Sequence, residues 1–426
     1  MSIKIGNIDV SSFKVGSADC RVYLGDTCVY SGDTPTPHDY SQDYFTFRVI
    51  EDIDIRWSGI ELSYSTDGGT TWSEPSNDIS LSAVTSGSTV MFKGNGGATP
   101  IGKFDTSSTG KFEVEGNIMS LLYGDNFVNQ TDLTGYEDTF ADMFTLSKTF
   151  KTYNLISAEN LVLPATTLDG DCYRGMFQGC AALVTPPKIL PATTLTKSRY
   201  GCYNSMFRNC TSLTTVPGLP ATTLSYGCYS NMFQGCTSLT TAPVLSATTL
   251  VSNCYGQMFY GCTSLVTAPE LLATTLADSC YQLMFRDCTS LTTAPSVLPA
   301  TTLAERCYYG MFNNCTSLTA APELPATTLA KGCYQSMFES CTSLTTAPEL
   351  LATTLAQGCY RSMFSSCTNL SSITCLATSI SADKCTQNWL NGVSASGTFT
   401  KAASMTSWTT DVNGIPSGWT VVDYSS

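Results

Sequence analysis

Eight copies of one phrase fill the last two-thirds of this chain, and they leave few architectures open. From Cys172 onward the phrase C-Y-x-x-M-F-x-x-C-T-S-L-T-T-A-P-x-L-P-A-T-T-L returns with a period of about 26 residues. Its Met-Phe pair marks the beat at Met176-Phe177, Met206-Phe207, Met232-Phe233, Met258-Phe259, Met284-Phe285, Met311-Phe312, Met337-Phe338 and Met363-Phe364. A fixed period between about 20 and 50 residues predicts a solenoid, in which each copy buries its apolar side only against its neighbours. That architecture points to a long binding surface or a structural rod before it points to a catalytic pocket.

Within one copy, Cys333, Met337 and Cys341 stand at i, i+4 and i+8, and Tyr334 and Phe338 make a second stripe. The spacing predicts a short amphipathic helix over residues 333–341. Residues 343–348 are expected to be extended, because proline disfavours helix in the residue before it. Leu350, Ala352 and Leu355 then carry the chain inward again. One strand and one helical segment per copy predict an α/β solenoid built on a parallel sheet. With strands about 4.8 Å apart, nine turns would make a sheet roughly 40 Å long, with threonine ladders on its exposed side.

Apolar residues make up 42% of the chain, enough for a core, whereas charged residues are only 13%. The formal charge of −13 argues against nucleic acid or an anionic membrane as partner, since both need a basic surface. No run approaches the roughly 20 apolar residues of a membrane-spanning helix, so membrane insertion is not expected. The start, Met1-Ser2-Ile3-Lys4-Ile5-Gly6, lacks the basic and apolar regions of a signal peptide. The expectation is a chain made in the cytosol that does not use the general export route.

Sixteen of the 20 cysteines fall in pairs eight residues apart within the repeats, such as Cys172/Cys180 and Cys333/Cys341. In a helix that spacing puts the Cα atoms about 12 Å apart, beyond the roughly 7 Å limit for a disulfide. Zinc is disfavoured as well, because no C-x2-C pair occurs and His38 is the only histidine. The cysteines are therefore expected to be buried thiols stacked in a ladder, which suits a reducing cytosol.

Ahead of the repeats, residues 1–30 read as a short β attachment module. Aliphatic-Gly pairs recur at Ile5-Gly6, Val15-Gly16 and Leu24-Gly25, and Cys20-Arg21-Val22-Tyr23 and Cys28-Val29-Tyr30 read as strands. So small a module needs a partner surface to pack on. Residues 31–43 are a Pro/Asp/Ser linker. Residues 44–130 read as a small β-sandwich or barrel, from the alternation of Phe45, Phe47 and Val49 and of Ile53, Ile55 and Trp57. Its turns are expected at Asp67-Gly68-Gly69, Gly94-Asn95-Gly96-Gly97 and Ser107-Ser108-Thr109-Gly110. The solenoid is expected over residues 131–384, opening with a cysteine-free capping copy around Phe140, Met143 and Phe144. Residues 385–426 read as a C-terminal cap, where Trp389-Leu390 replaces Met-Phe and Val393 replaces the second cysteine.

Catalytic signatures are scarce. One histidine between Pro37 and Asp39 offers no Ser-His-Asp or Cys-His site. There is no P-loop, no G-x-G-x-x-G after a strand and no H-E-x-x-H. Glu270, Glu323 and Glu349 recur at one phase of the repeat, as a solvated stripe would. Residues 65–72, S-T-D-G-G-T-T-W, fit the Asp-box of sialidase-like propellers, whose chemistry is structural; a single copy predicts a β-hairpin. No enzyme activity, cofactor or metal site is expected.

Variation between copies supplies the candidate binding surface. The Cys, Tyr, Met, Phe and Leu positions barely change, whereas the spacers before each Cys and around each Met-Phe differ at every turn. Helical phase turns these spacers outward, nominating Arg208, Asn209, Tyr226, Tyr260, Arg286, Glu305, Arg306, Asn313, Asn314 and Lys331. A surface rich in Thr, Ser, Tyr and Asn suits neutral glycans held by many weak hydrogen bonds, although drift at exposed sites produces the same pattern.

The pattern C-x-x-L-x-x-A-P-x-L-P-A-x-x-L followed by Y-x-x-M-F-x-x-C resembles the BspA-like leucine-rich repeats of gut Bacteroidetes and their bacteriophages. The resemblance covers about residues 161–380, with copies somewhat longer than is usual in that family. The lead-in at residues 112–124 and the closing G-I-P-S-G-W-T-V-V at 414–422 are also similar to segments of those proteins. The phrases I-K-I-G-N-I-D-V-S-S and V-Y-L-G-D-T-C-V-Y-S-G resemble attachment segments of phage tail and virion proteins. Surface members of the family normally begin with an export signal, from which this chain departs. The resemblance therefore implies a non-enzymatic, tail- or fibre-associated virion protein. It would join other virion proteins through residues 1–30 and bind a host-surface glycan or protein through the repeats. Fibre-like proteins of this kind are often homo-oligomers. The alternatives are a BspA-like adhesin on the bacterial surface and a glycan-degrading enzyme built on the β-domain.

Overall fold

Alternating apolar residues build the first described sheet, as their period of two requires. The computed structural model describes residues 38–95, 101–106, 110–145, 154–195 and 199–425, and four short strands nearer the N-terminus. Those four are β1 (Ile3–Ile5) paired antiparallel with β2 (Ile8–Val10), and β3 (Arg21–Leu24) paired antiparallel with β4 (Thr27–Ser31). Gly6, Val15-Gly16, Cys20 and Gly25 lie outside the described residues, as do most of the expected linker and the turns expected at Gly96-Gly97 and residues 107–109.

The strands that follow are β5 (Phe45–Val49), β6 (Ile53–Ser65), β7 (Ser76–Val84), β8 (Thr89–Gly94), β9 (Gly102–Asp105), β10 (Phe112–Asn117) and β11 (Leu155–Val162). They form one seven-stranded sheet in the order β11-β10-β5-β8-β6-β7, with β9 also on β6. The expected sandwich or barrel is corrected by this arrangement: the described strands make a single mixed sheet with no closed barrel. The sheet also reaches past residue 130, because β11 pairs in parallel with β10. Where β6 passes β9, Gly59 faces Gly102, and a Cβ on Gly59 would sit 2.1 Å from the Ile101 carbonyl oxygen. Only glycine permits that approach.

The segment S-T-D-G-G-T-T-W closes the connection between β6 and β7. Asp67 accepts from the Thr71 hydroxyl at 2.6 Å, the Thr71 amide at 2.9 Å and the Ser65 hydroxyl at 2.8 Å. Those donors, Thr71 foremost, hold its carboxyl down at about 2. The Trp72 indole donates to the Gly69 carbonyl at 3.1 Å. The Asp-box motif is thus spent on turn geometry.

From Phe144 onward the core becomes two columns of rings. Phe104 stacks on Phe144 at 6.0 Å, and Phe144 stacks on Phe177 at 5.4 Å, so the sheet's aromatic core runs straight into the repeats. The phenylalanines then stack copy on copy through Phe207, Phe233, Phe259, Phe285, Phe312, Phe338 and Phe364, with centroids 5.4 to 5.6 Å apart. A second column begins with Phe140 on Tyr173 and continues through the copies' tyrosines to Tyr360, with tyrosine centroids 5.6 to 6.1 Å apart. Phe140 and Phe144 of the cysteine-free copy therefore take the first rung of each column. At the far end Trp389 stacks on Tyr360 and Trp408 on Trp389. Beneath them β12 (Ser372–Cys375), β13 (Gly397–Lys401) and β14 (Trp419–Asp423) form a parallel sheet.

The helix expected over residues 333–341 is not formed; the segment is a string of tight turns. Every second amide closes a turn on the residue three back, as from Gln335 to Gly332, Met337 to Tyr334 and Glu339 to Ser336. The amides between them cross to the next copy, from Tyr334 to Cys359, Ser336 to Arg361 and Phe338 to Met363. A left-handed residue recurs every fourth position, with φ of 58° at Gly332, 55° at Ser336 and 64° at Ser340. A four-residue turn repeat and a 3.6-residue helix place i, i+4 and i+8 on one side almost equally well. The amphipathic pattern is met, but by turns.

The continuous parallel sheet expected along the repeats is also replaced. Successive copies meet through isolated parallel bridges such as Thr249 with Thr275, Thr267 with Thr293 and Thr346 with Ser372. In seven of the eight copies a proline stands two residues after the position of Thr267, and proline has no amide to extend the ladder; the eighth copy lacks it and forms β12. The 18 cysteines from Cys172 to Cys385, by contrast, are free and buried as expected. Among the described residues no helix is long and apolar enough to cross a membrane.

Candidate functional site

The turn string projects one set of side chains per copy outward, and their identity follows partly from backbone demand. The residue just before each second cysteine has positive φ: 60° at Asn209, 74° at Gly235, 73° at Gly261, 61° at Asp287 and 60° at Asn314. Gly, Asn and Asp, the types that best tolerate this region, fill six of the eight such positions, and Ser340 and Ser366 fill the other two. Part of the variation read as recognition is therefore a left-handed backbone selecting among a few types. Arg306, at φ 52°, occupies the equivalent position before a first cysteine.

Two clefts gather five of the ten nominated residues. In the first, about 280 Å³ in volume, Arg286, Asn313 and Asn314 come together with Asp287, Tyr309 and Glu339. Asn314 donates to Asp287 at 2.8 Å, Asn313 donates to Glu339 at 3.1 Å, and Arg286 lies 3.6 Å from Asp287. The Arg286 guanidinium also faces the Tyr260 ring at 5.7 Å. Apart from the Arg286–Asp287 pair, these contacts tie neighbouring copies to one another, so this cleft is largely self-satisfied.

The second cleft, about 130 Å³, is lined by Arg306, Lys331, Gly332, Gln335, Gln357, Gly358, Arg361 and Lys384. Lys331 pairs with Glu305 at 2.9 Å, and the Arg306 guanidinium lies 6.0 Å from the Tyr309 ring. Arg361 and Lys384 were not singled out in the sequence. The signal was present, since Lys384 precedes Cys385 as Arg306 precedes Cys307, and Arg361 follows Cys359 by two as Tyr309 follows Cys307.

Three nominated residues stand apart from both clefts. Tyr226 is 50% exposed, and its hydroxyl accepts from Asn253 at 3.3 Å. Asn209 is exposed and Arg208 half-buried, several copies away from the clefts. Away from the turn string, an apolar groove of about 420 Å³ surrounds Pro243, Val244, Pro269 and Leu272, with Val244 76% exposed. Its prolines belong to the repeat, Leu272 stands where other copies carry proline, serine or leucine, and only Val244 takes a position that is mostly polar elsewhere.

The thiols are chemically quiet. Burial pushes Cys202, Cys228 and Cys280 up to about 12, so almost no thiolate exists near neutrality. His38 is exposed and engaged with Asp43, whose hydrogen bond raises its proton affinity. Among the described residues no cluster of His, Cys, Asp and Glu is placed to hold a metal ion. The outward geometry offers charge, amides and exposed rings along a rigid track. The chain matches no protein-family model, no curated protein and no solved structure.

Proposed function

We propose that residues 131–384 form a leucine-rich-repeat solenoid of the BspA-like type, and that the chain is a non-enzymatic bacteriophage virion protein. In this reading it is tail- or fibre-associated, its N-terminal strands join other virion proteins, and the repeat surface binds a host-surface glycan or protein. The observation that carries the scaffold is the pair of ring columns, in which Tyr and Phe of each copy stack on those of the next. Columns of that kind make a rigid support whose outer residues can change without disturbing the core. The virion assignment rests on the resemblance of the N-terminal phrases to tail and virion attachment segments.

Mass spectrometry of purified phage particles from a gut Bacteroidetes lysate tests the assignment. Repeat peptides at stoichiometric levels in particles are the expected result. Their recovery from the bacterial envelope instead would overturn it in favour of a BspA-like adhesin. Deleting residues 1–30 should abolish incorporation; unchanged incorporation would remove the attachment role.

A further inference from the structure

We propose that the cleft formed by Arg306, Lys331, Arg361 and Lys384 binds an acidic polysaccharide, one carrying carboxylate or sulfate groups along its length. This deepens the reading above and rests on it, since it assumes that the repeat surface meets a host-surface polymer. Four cations from four successive copies converge on one small cleft in a chain whose formal charge is −13. Among the described residues, Lys331 alone of the four has a carboxylate partner, Glu305 at 2.9 Å. Asp383, the other nearby acid, accepts from the Gln357 amide at 3.0 Å. Arg361 and Lys384 are exposed and make no ion pair among the described residues. Gln335 adds an amide to the same wall.

Geometry favours a linear polymer over a lone anion. The copies that carry these side chains are spaced 5.7 Å apart at Tyr308 and Tyr334 and 6.1 Å apart at Tyr334 and Tyr360. That rise is close to the length of one sugar residue in an extended chain, so acidic sugars can meet successive cations. Arginine matches carboxylate and sulfate oxygens with paired N–H donors, whereas lysine serves as a point charge. Nucleic acid fits less well, because single strands also use aromatic stacking platforms. The ring beside this cleft, Tyr309, is half-buried and faces Arg306.

Affinity electrophoresis of the full chain tests the proposal with four probes: polygalacturonate, dextran sulfate, neutral dextran and an oligothymidylate. Retardation by at least one charged glycan, weakened by added salt, and none by dextran is expected. The tighter of the two identifies carboxylate or sulfate as the recognised group. The double variant R361Q/K384Q, which alters two exposed side chains, should weaken that binding about tenfold or more. R48Q, on the exposed side of β5, should leave it unchanged. Failure of both charged glycans to bind, or full binding by the double variant, would overturn the site. Oligothymidylate binding as tightly as the glycans would reassign it to nucleic acid. If the chain is found in particles but binds neither glycan, the virion reading stands and this one falls.

Discussion

The thiol of Cys262 donates to the carbonyl oxygen of Phe233, 29 residues earlier, at 3.1 Å. The same bond recurs from Cys236 to Phe207, Cys288 to Phe259, Cys315 to Phe285 and Cys341 to Phe312. The second cysteine of each copy is thus a stitch to the copy before it. This gives the thiol a role beyond filling space. The hydrogen bond and the snug volume are both needed, and cysteine supplies them without a strongly polar group.

Cys262→Ala removes that stitch and opens a small void, and should cost about 1–2 kcal/mol. Chemical denaturation of the variant beside the parent chain measures it. An unchanged midpoint would show that the bond contributes nothing net.

Phe259 stacks on both neighbours, Phe233 at 5.6 Å and Phe285 at 5.5 Å. Phe259→Ala should therefore cost about 3–5 kcal/mol, whereas Val244→Ala, on the exposed groove, should stay within about 0.5 kcal/mol. Equal losses at the two sites would contradict a core organised around the ring columns. Thermal melts followed by tyrosine fluorescence can report both.

At Asn209 the backbone has φ of 60°. Asn209→Gly should be tolerated, while Asn209→Val should lose about 1–2 kcal/mol, because a β-branched residue is strained there. Should valine prove neutral, the left-handed turn would not be the reason for the residue types at this position.

Alkali should unfold the chain through its thiols. An unfolded cysteine ionises near about 8.5, whereas Cys202, Cys228 and Cys236 are pushed up to about 12 when folded. Protonated burial therefore contributes its full stability below about pH 8.5 and loses it as the pH rises toward the folded values, by about 1.4 kcal/mol per pH unit for each thiol. The denaturation midpoint should be flat from pH 6 to about 8 and fall steeply above 9. In parallel, a thiol reagent at neutral pH should leave the 18 cysteines from Cys172 to Cys385 unmodified until denaturant is added. A midpoint insensitive to alkali, or ready labelling of the folded chain, would contradict burial.

Much of this fold was legible before any coordinates. The spacing of Cys, Tyr, Met, Phe and Leu named the inward side chains, and the buried residues of each copy match it, Cys254, Tyr255, Met258, Phe259, Cys262 and Leu265 among them. The degraded copy at Phe140 and Phe144 and the tryptophan replacement at Trp389 marked where the columns begin and end. These are properties of composition at fixed spacing, and a linear text carries them.

Three features were settled by tertiary structure alone. Residues 333–341 became turns because half their amides bond to a copy 25 residues on, a choice that local periodicity cannot register. Strand β11 joined the N-terminal sheet because β10 was there to receive it in parallel. Arg306, Lys331, Arg361 and Lys384 became neighbours because stacking brings residues from four copies to one place. Sequence determined which side chains face inward, since burial follows from chemistry at each position. The structure decided which outward groups meet, since that depends on contacts between segments far apart in the chain.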